Sequence, residues 1–302
     1  LLISHAVDEN VLYGNTEAVA KWLSIILRIN LMPIASDAYG KFQPYAMRAI
    51  AIITIAVTIG VWVINASDPQ GEFGATRNLM LWAGDKPNPL LSLGAALSRG
   101  ELGEFHYYQL LTNAFLHAGI LHLAGNMVFF LVFANRVNAL LGQWKAAVAY
   151  ILLAILASMA FYLSRVGGTV IPALGASGAI MGMAGMYFVL MPLSRVYMVF
   201  WLRLGLLTGF RRWTKIFPVR GIWMLAFWIA LQDILPTLLG VHDSTAHWAH
   251  LGGFISGVVL ALLLLLTRQV DANGGDIISV TLGPAAWKIL GTPAQRAKAF
   301  AA

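Results

Sequence analysis

The chain contains no cysteine, which excludes thiol nucleophiles, disulfides and Cys-ligated zinc. Charge is scarce as well. Only 11% of the 302 residues are charged, 59% are hydrophobic and the mean hydropathy is +0.74, so a soluble globular domain is excluded. No H-E-x-x-H helix is present to hold a catalytic zinc. The hydrolase elbow G-x-S-x-G also fails, because Ala179 stands where its last glycine would be. Internal repeats and a charged pathway are absent, which argues against a transporter or channel. The formal charge of +7 does not form a basic surface domain of the kind nucleic acid requires; the basic residues lie at the ends of apolar segments. The chain opens on Leu1, and its first residues carry no signal-peptide pattern.

What the chain does have is six apolar runs, at residues 49–66, 120–141, 146–163, 177–191, 221–239 and 247–267. Their lengths lie near the roughly 20 residues that a helix needs to cross a bilayer. They define an all-α, polytopic membrane protein: a six-helix domain over residues 46–267, an N-terminal segment of 1–45 and a C-terminal tail of 268–302. In the N-terminal segment, residues 17–31 can form an amphipathic helix lying along the membrane surface. The long first connection, 67–108, carries three basic and five acidic residues. Its apolar patches at 79–82 and 90–97 are expected to be short helices resting on the bilayer.

Orientation follows from the basic residues. Arg195, Arg203, Arg211, Arg212, Lys215 and Arg220 fill the connection between runs four and five, which has no acidic residue. Arg136 and Lys145 flank the junction of runs two and three. The positive-inside rule puts both connections, and both termini, in the cytoplasm. Eighteen residues separate Ser177 from Arg195, a helical rise of about 27 Å, so Ser177 is expected just below the outer surface.

Polar side chains inside apolar helices are candidate functional groups, because lipid offers them no partner. His122 and Asn126 are four apart and share a face. Ser177 heads run four, where unpaired N–H groups and the positive end of the helix dipole favour a developing anion. Gly178, Gly182 and Gly185 follow it, and His250 is followed by Gly253 and Gly257. Small-residue stripes of this kind let two membrane helices approach closely, near enough for a Ser177–His250 hydrogen bond. His247 is a weaker alternative base, lacking the glycines at that spacing. Asp233, beside Pro236 in run five, is expected to meet water or a capping contact rather than complete a triad. The same run's Trp223, Phe227 and Trp228 read as packing and interface anchors.

Three motifs resemble the rhomboid family of intramembrane serine proteases, in its six-span prokaryotic form. His117-Ala-Gly-Ile-Leu-His122-Leu-Ala-Gly-Asn126 matches H-x4-H-x3-N, Gly175-Ala-Ser177-Gly178 matches G-x-S-G, and Ala249-His250-Leu-Gly-Gly253-Phe-Ile-Ser-Gly257 matches A-H-x-x-G-x-x-x-G. The resemblance implies Ser177 as nucleophile, His250 as general base, and His122, Asn126 and the Ser177 N–H as oxyanion donors. It implies structural support from Gly175, Gly178, Gly253 and Gly257, with His117 bracing the first loop. No third acid, metal or cofactor is implied. The substrates would be single-span membrane proteins cut near the outer face of a prokaryotic cytoplasmic membrane. The alternative is a catalytically silent relative that binds membrane helices. Three departures stand out: Tyr108-Gln109 replaces a Trp-Arg pair, Asn138 an acidic residue, and Met181 an aromatic. The first two are expected to alter the bracing of the first loop.

Overall fold

The computed structural model describes residues 31–67, 76–84, 105–203, 212–240 and 246–291, with 294 and 296–298. The amphipathic helix expected over 17–31 falls outside these apart from Leu31, as does the apolar patch at 90–97. In chain order the elements begin with β1 (Leu31–Ser36), α1 (Tyr45–Ser67), α2 (Thr76–Leu79), β2 (Leu81–Ala83) and α3 (Gln109–Thr112). Next come α4 (Ile120–Leu141), α5 (Gln143–Ser164), β3 (Ile171–Ala173) and α6 (Ser177–Leu190). The hairpin β4 (Arg195–Arg203) and β5 (Arg212–Arg220) leads into α7 (Gly221–Leu238) and α8 (His247–Leu266), and α9 (Ile277–Leu282) and α10 (Pro284–Leu290) close the chain.

Five helices, α1, α4, α5, α7 and α8, are long and apolar enough to cross a membrane. A helix satisfies its own backbone polar groups, which is what an apolar run must do in lipid. The sixth run forms α6, whose 14 residues rise only about 21 Å. Every residue of α6 except Ser177 and Phe188 is buried, as expected of a helix that is apolar all round and packed on every side. Because α6 ends at Leu190 rather than running on to Arg195, the helical depth expected for Ser177 shortens by about 7.5 Å.

Glycine sets the distance between α6 and α8. A Cβ on Gly253 would collide with the carbonyl oxygen of Gly178, and one on Gly257 with that of Gly182. From the other side, a Cβ on Gly185 would strike the carbonyl oxygen of Phe254. The two backbones therefore touch along three successive turns. The opposing face of α6 meets α5, where Gly178 lies against Ala157 and Gly182 against Leu153.

The basic connection between α6 and α7 is not an irregular loop. It folds as the hairpin β4–β5, and β1 adds to it in the order β1-β4-β5, all antiparallel. The physical reason lies in its residues: β-branched and aromatic side chains dominate β4, and Val196 and Met198 alternate into the core between more exposed neighbours. A second departure from a purely helical reading concerns 79–82. There α2 ends at Leu79 and β2 pairs with β3, setting Leu81 opposite Ala173 and Ala83 opposite Ile171. The tail also joins the bundle: Ile277 and Leu290 pack on the main core, and Asp276 caps α9 by accepting the Ser279 N–H at 2.9 Å.

Asn138 has a different job from the one expected of it. It is fully buried, its Oδ1 accepts the Met47 N–H at 3.1 Å, and its Nδ2 donates to Gln143 Oε1 at 3.3 Å. Gln143 Oε1 in turn accepts the Ala46 N–H at 2.8 Å. The pair therefore caps the first turn of α1, where helical N–H groups have no partner of their own. That turn lies at the α4–α5 junction, not beside the first loop.

Gly257→Ala is expected to lower stability by about 1–3 kcal/mol, because the backbone of α6 must move to admit the methyl group. Gly60→Ala on α1, where a Cβ meets nothing within 4 Å, is expected to stay within about 0.5 kcal/mol. Thermal denaturation of the two variants in detergent checks the contrast.

Candidate active site

The site forms around the first residue of α6. Gly175 reaches it through a backbone angle of φ +130°, which side chains rarely adopt, and its N–H donates to the Asn113 carbonyl at 2.9 Å. A Cβ at Gly175 would lie 2.9 Å from His122 Nε2 and 3.8 Å from Asn126 Nδ2. The missing side chain thus leaves the space into which both residues of α4 reach. Ser177 is the first residue of α6, and its hydroxyl turns toward α8. Its Oγ lies 2.8 Å from His250 Nε2 on α8. An open cleft adjoins the serine, lined by Leu81, Asn113, Ala157, Ser158 and Phe161 among others.

All the sequence-predicted site residues converge here. His122 and Asn126 face Gly175, Ser177 meets His250, and Gly178, Gly253 and Gly257 bring α6 against α8. Asn126 is buried, and its Nδ2 has no hydrogen-bond partner among the described residues. A buried donor left unpaired costs about 1–3 kcal/mol and points to a ligand oxygen. His247 does not approach Ser177; its Nδ1 lies 3.2 Å from Asp233 Oδ1.

Among the described residues, the hydrogen bonds of His117 run to α1 and to the turn before Ser177 rather than to the first loop. It is 3% exposed, and its ring sits edge-on to His122 with centroids 5.0 Å apart. Its carbonyl accepts the Trp62 indole N–H at 2.8 Å, and its Nδ1 lies 3.1 Å from Thr58 Oγ1, both on α1. Its Nε2 faces the Ala176 N–H at 3.5 Å. Since Thr58 gives its only hydroxyl proton to the Phe115 carbonyl at 3.0 Å, His117 carries its proton on Nδ1 and leaves Nε2 to accept. The residue thereby ties α1 to the turn just before Ser177. Burial, and after it the proximity of His122, push its pKa down to about 3.

Several polar groups stand elsewhere than their sequence context suggests. Asp233 of α7, 1% exposed, lies 2.7 Å from His250 Nδ1, so it meets histidines rather than water or a helix cap. The signal was available: Asp233 is the only Asp or Glu in any of the six apolar helices. Gln109, placed where the resemblance expects Arg, is 1% exposed; it donates to the Asn78 carbonyl at 3.2 Å and accepts the His106 N–H at 3.0 Å. Gln109 thus ties α3 to the last turn of α2. Asn113 of the 3-10 turn after α3 donates to Ser158 Oγ at 2.9 Å on α5.

The fold and site together define a polytopic helical membrane protein with a serine and a histidine hydrogen-bonded between two glycine-packed helices. The family model for the Rhomboid domain matches residues 104–267, and the chain belongs to the rhomboid family. It is 29% identical over 224 residues to Rhomboid-like protease 3 of Toxoplasma gondii, covering 74% of this chain and 71% of that protein. It is 26% identical over 236 residues to RHOMBOID-like protein 1 of Arabidopsis thaliana, covering 75% of this chain and 54% of the relative. RHOMBOID-like protein 6, mitochondrial, of the same plant is 27% identical over 194 residues, covering 62% and 53%. The chain thus spans about half the length of these two plant relatives.

Because the unfolded chain takes up the His117 proton near pH 6.5 and the folded one only near 3, acid favours unfolding progressively through that window. The stability that wild type holds over His117→Gln is therefore expected to shrink as pH falls from 7 to 4. Paired melting curves across this range measure it.

Proposed function

We propose that this chain is an intramembrane serine endopeptidase that cuts single-span membrane proteins near the outer face of the bilayer. The 2.8 Å contact between Ser177 Oγ and His250 Nε2, set beside the unpaired Asn126 Nδ2, is the observation that carries the reading. The T. gondii relative is named as a rhomboid-like protease, which supports the proteolytic part of the reading. The arginine and lysine distribution favours cytoplasmic termini, with Ser177 approached from the opposite side.

In this mechanism Ser177 attacks the scissile carbonyl while His250 takes its proton, because a serine hydroxyl is a weak nucleophile until a base acts on it. The carbonyl oxygen becomes an oxyanion beside the N-terminus of α6. Asn126 Nδ2, His122 and the Ser177 N–H donate to it, aimed where the charge appears. His250 then gives its proton to the leaving amine as the acyl-enzyme forms. Next it draws a proton from the water that attacks the ester, and Ser177 recovers its own as the second product leaves. Neither metal nor cofactor is called on. A peptide bond within a helix is shielded by its own hydrogen bonds, so substrates with helix-weakening residues near the cut suit the site. A small residue before the cut suits the tight, glycine-lined approach at Gly175.

Two variants test the reading on purified protein in liposomes with a tagged single-span substrate and a chelator present. Ser177→Ala is expected to abolish cleavage that persists in wild type. Asn126→Ala is expected to lower kcat by about 10²–10³-fold, the usual cost of losing one oxyanion donor. Binding of substrate by both wild type and Ser177→Ala without cleavage by either favours the catalytically silent relative instead.

A further inference from the structure

Asp233 is the only carboxylate within the six apolar helices, and at 1% exposed it is buried where a lone charge is costly. Its partners are two imidazoles of the facing helix. Oδ1 lies 2.7 Å from His250 Nδ1 and 3.2 Å from His247 Nδ1. The residue sits in a π-helical stretch of α7, Ala230–Ile234. Pro236 follows two residues on, and its missing N–H cannot bond the Gln232 carbonyl. A π-turn shifts the register of the side chains after it, and such turns gather at functional sites. Here the shifted stretch carries Asp233 to His250.

From this geometry we infer that Asp233 is a positioning residue for His250, making the site a Ser177–His250–Asp233 relay rather than a two-residue one. The inference rests on the proposed protease reading. A carboxylate only accepts hydrogen bonds, so the His250 proton must sit on Nδ1, and Nε2 is left bare toward Ser177 Oγ. That is the tautomer a general base needs. As Nε2 takes up the serine proton, the imidazolium that forms has a full negative charge 2.7 Å from its other nitrogen. His247 donates to the same oxygen and fixes the carboxylate from one turn away. No bond to Asp233 is made or broken; the proton on Nδ1 stays with His250 throughout.

Asp233→Asn preserves the shape and reverses the logic. Its amide can donate to His250 Nδ1 and move the proton to Nε2, which then cannot accept from Ser177. The expected result is a kcat lower by about 10²-fold or more, approaching the ~10⁴-fold cost of the same change in a serine-protease triad. KM should hold within about twofold, because the interaction is made in the transition state rather than with bound substrate. Labelling of Ser177 by a fluorophosphonate, which needs no substrate binding, should slow in parallel, and Asp233→Glu should recover a large part of both rates. A folded Asp233→Asn with wild-type kcat and labelling rate overturns the inference. Should that variant fail to fold, Asp233→Ser, too short to reach His250, replaces it: kcat is expected to fall again, and a folded Asp233→Ser at full rate overturns the inference equally. A wild-type chain that neither cleaves nor labels overturns the protease reading and this assignment together. A wild type that does both, matched by its Asp233 variants, removes the assignment alone.

Discussion

The contact on which this structure depends is between two backbones, not two side chains. At Gly253 and Gly257 the helix α8 meets the carbonyls of Gly178 and Gly182 on α6, with no room for a methyl group between them. Lipid tails are as apolar as a leucine side chain, so burial alone does not hold two membrane helices together. Close packing does, and it also decides geometry. His250 stands one turn before Gly253 and Ser177 one residue before Gly178. Once the glycines are in contact, the 2.8 Å separation of Nε2 and Oγ follows from the pitch of two helices. A larger residue at either glycine would widen the gap between the two reacting groups.

A second constraint is that every polar group here must be satisfied within the protein. The structure meets it by linking elements rather than by isolated pairs. His117 joins α1 to the turn before Ser177, Asn113 joins that same turn to α5, and Asp233 joins α7 to α8. At the other end Asn138 and Gln143 finish the first turn of α1. Each linkage replaces water that lipid cannot supply. The constraint is not met everywhere: several buried polar atoms lack a partner among the described residues, and Asn126 Nδ2 is the one beside Gly175. What distinguishes Asn126 is its place, because the same Gly175 that it faces lies two residues before Ser177.

The helices and the reacting residues were legible in the sequence because both signals are local. Uncharged runs identify spans, and His122 with Asn126, or Ser177 with Gly178, can be read at fixed spacing on one helix. What escaped was non-local. The sheet pairs β1 with a hairpin more than 150 residues away, and no run of residues announces its partner. The arginines of β4 and β5 dominate their sequence signal and mask the alternation of Val196 and Met198. Asn138 was assigned to the first loop by resemblance, although its own hydrogen bonds run to Ala46, by way of Gln143, and to Met47.

Asp233 is the most instructive of these cases, because its sequence signal was strong and its partner hidden. A lone carboxylate in an apolar helix implies a partner as a matter of energetics, since several kcal/mol of lost hydration must be offset. The sequence places it fourteen residues from His247 and seventeen from His250, across a connection, with Pro236 between them to suggest a local explanation. Asp233 lies in the π-helical stretch just before that proline, and there it faces α8. One oxygen then meets two imidazole nitrogens, each on the same side of α8 by virtue of a three-residue spacing. A pair of histidines so placed gives the buried carboxylate two imidazole partners on one helix. The helix α7 is thereby fastened to α8 at the level of the reacting serine, so any movement of α7 that breaks the contact also releases His250 from its tautomer.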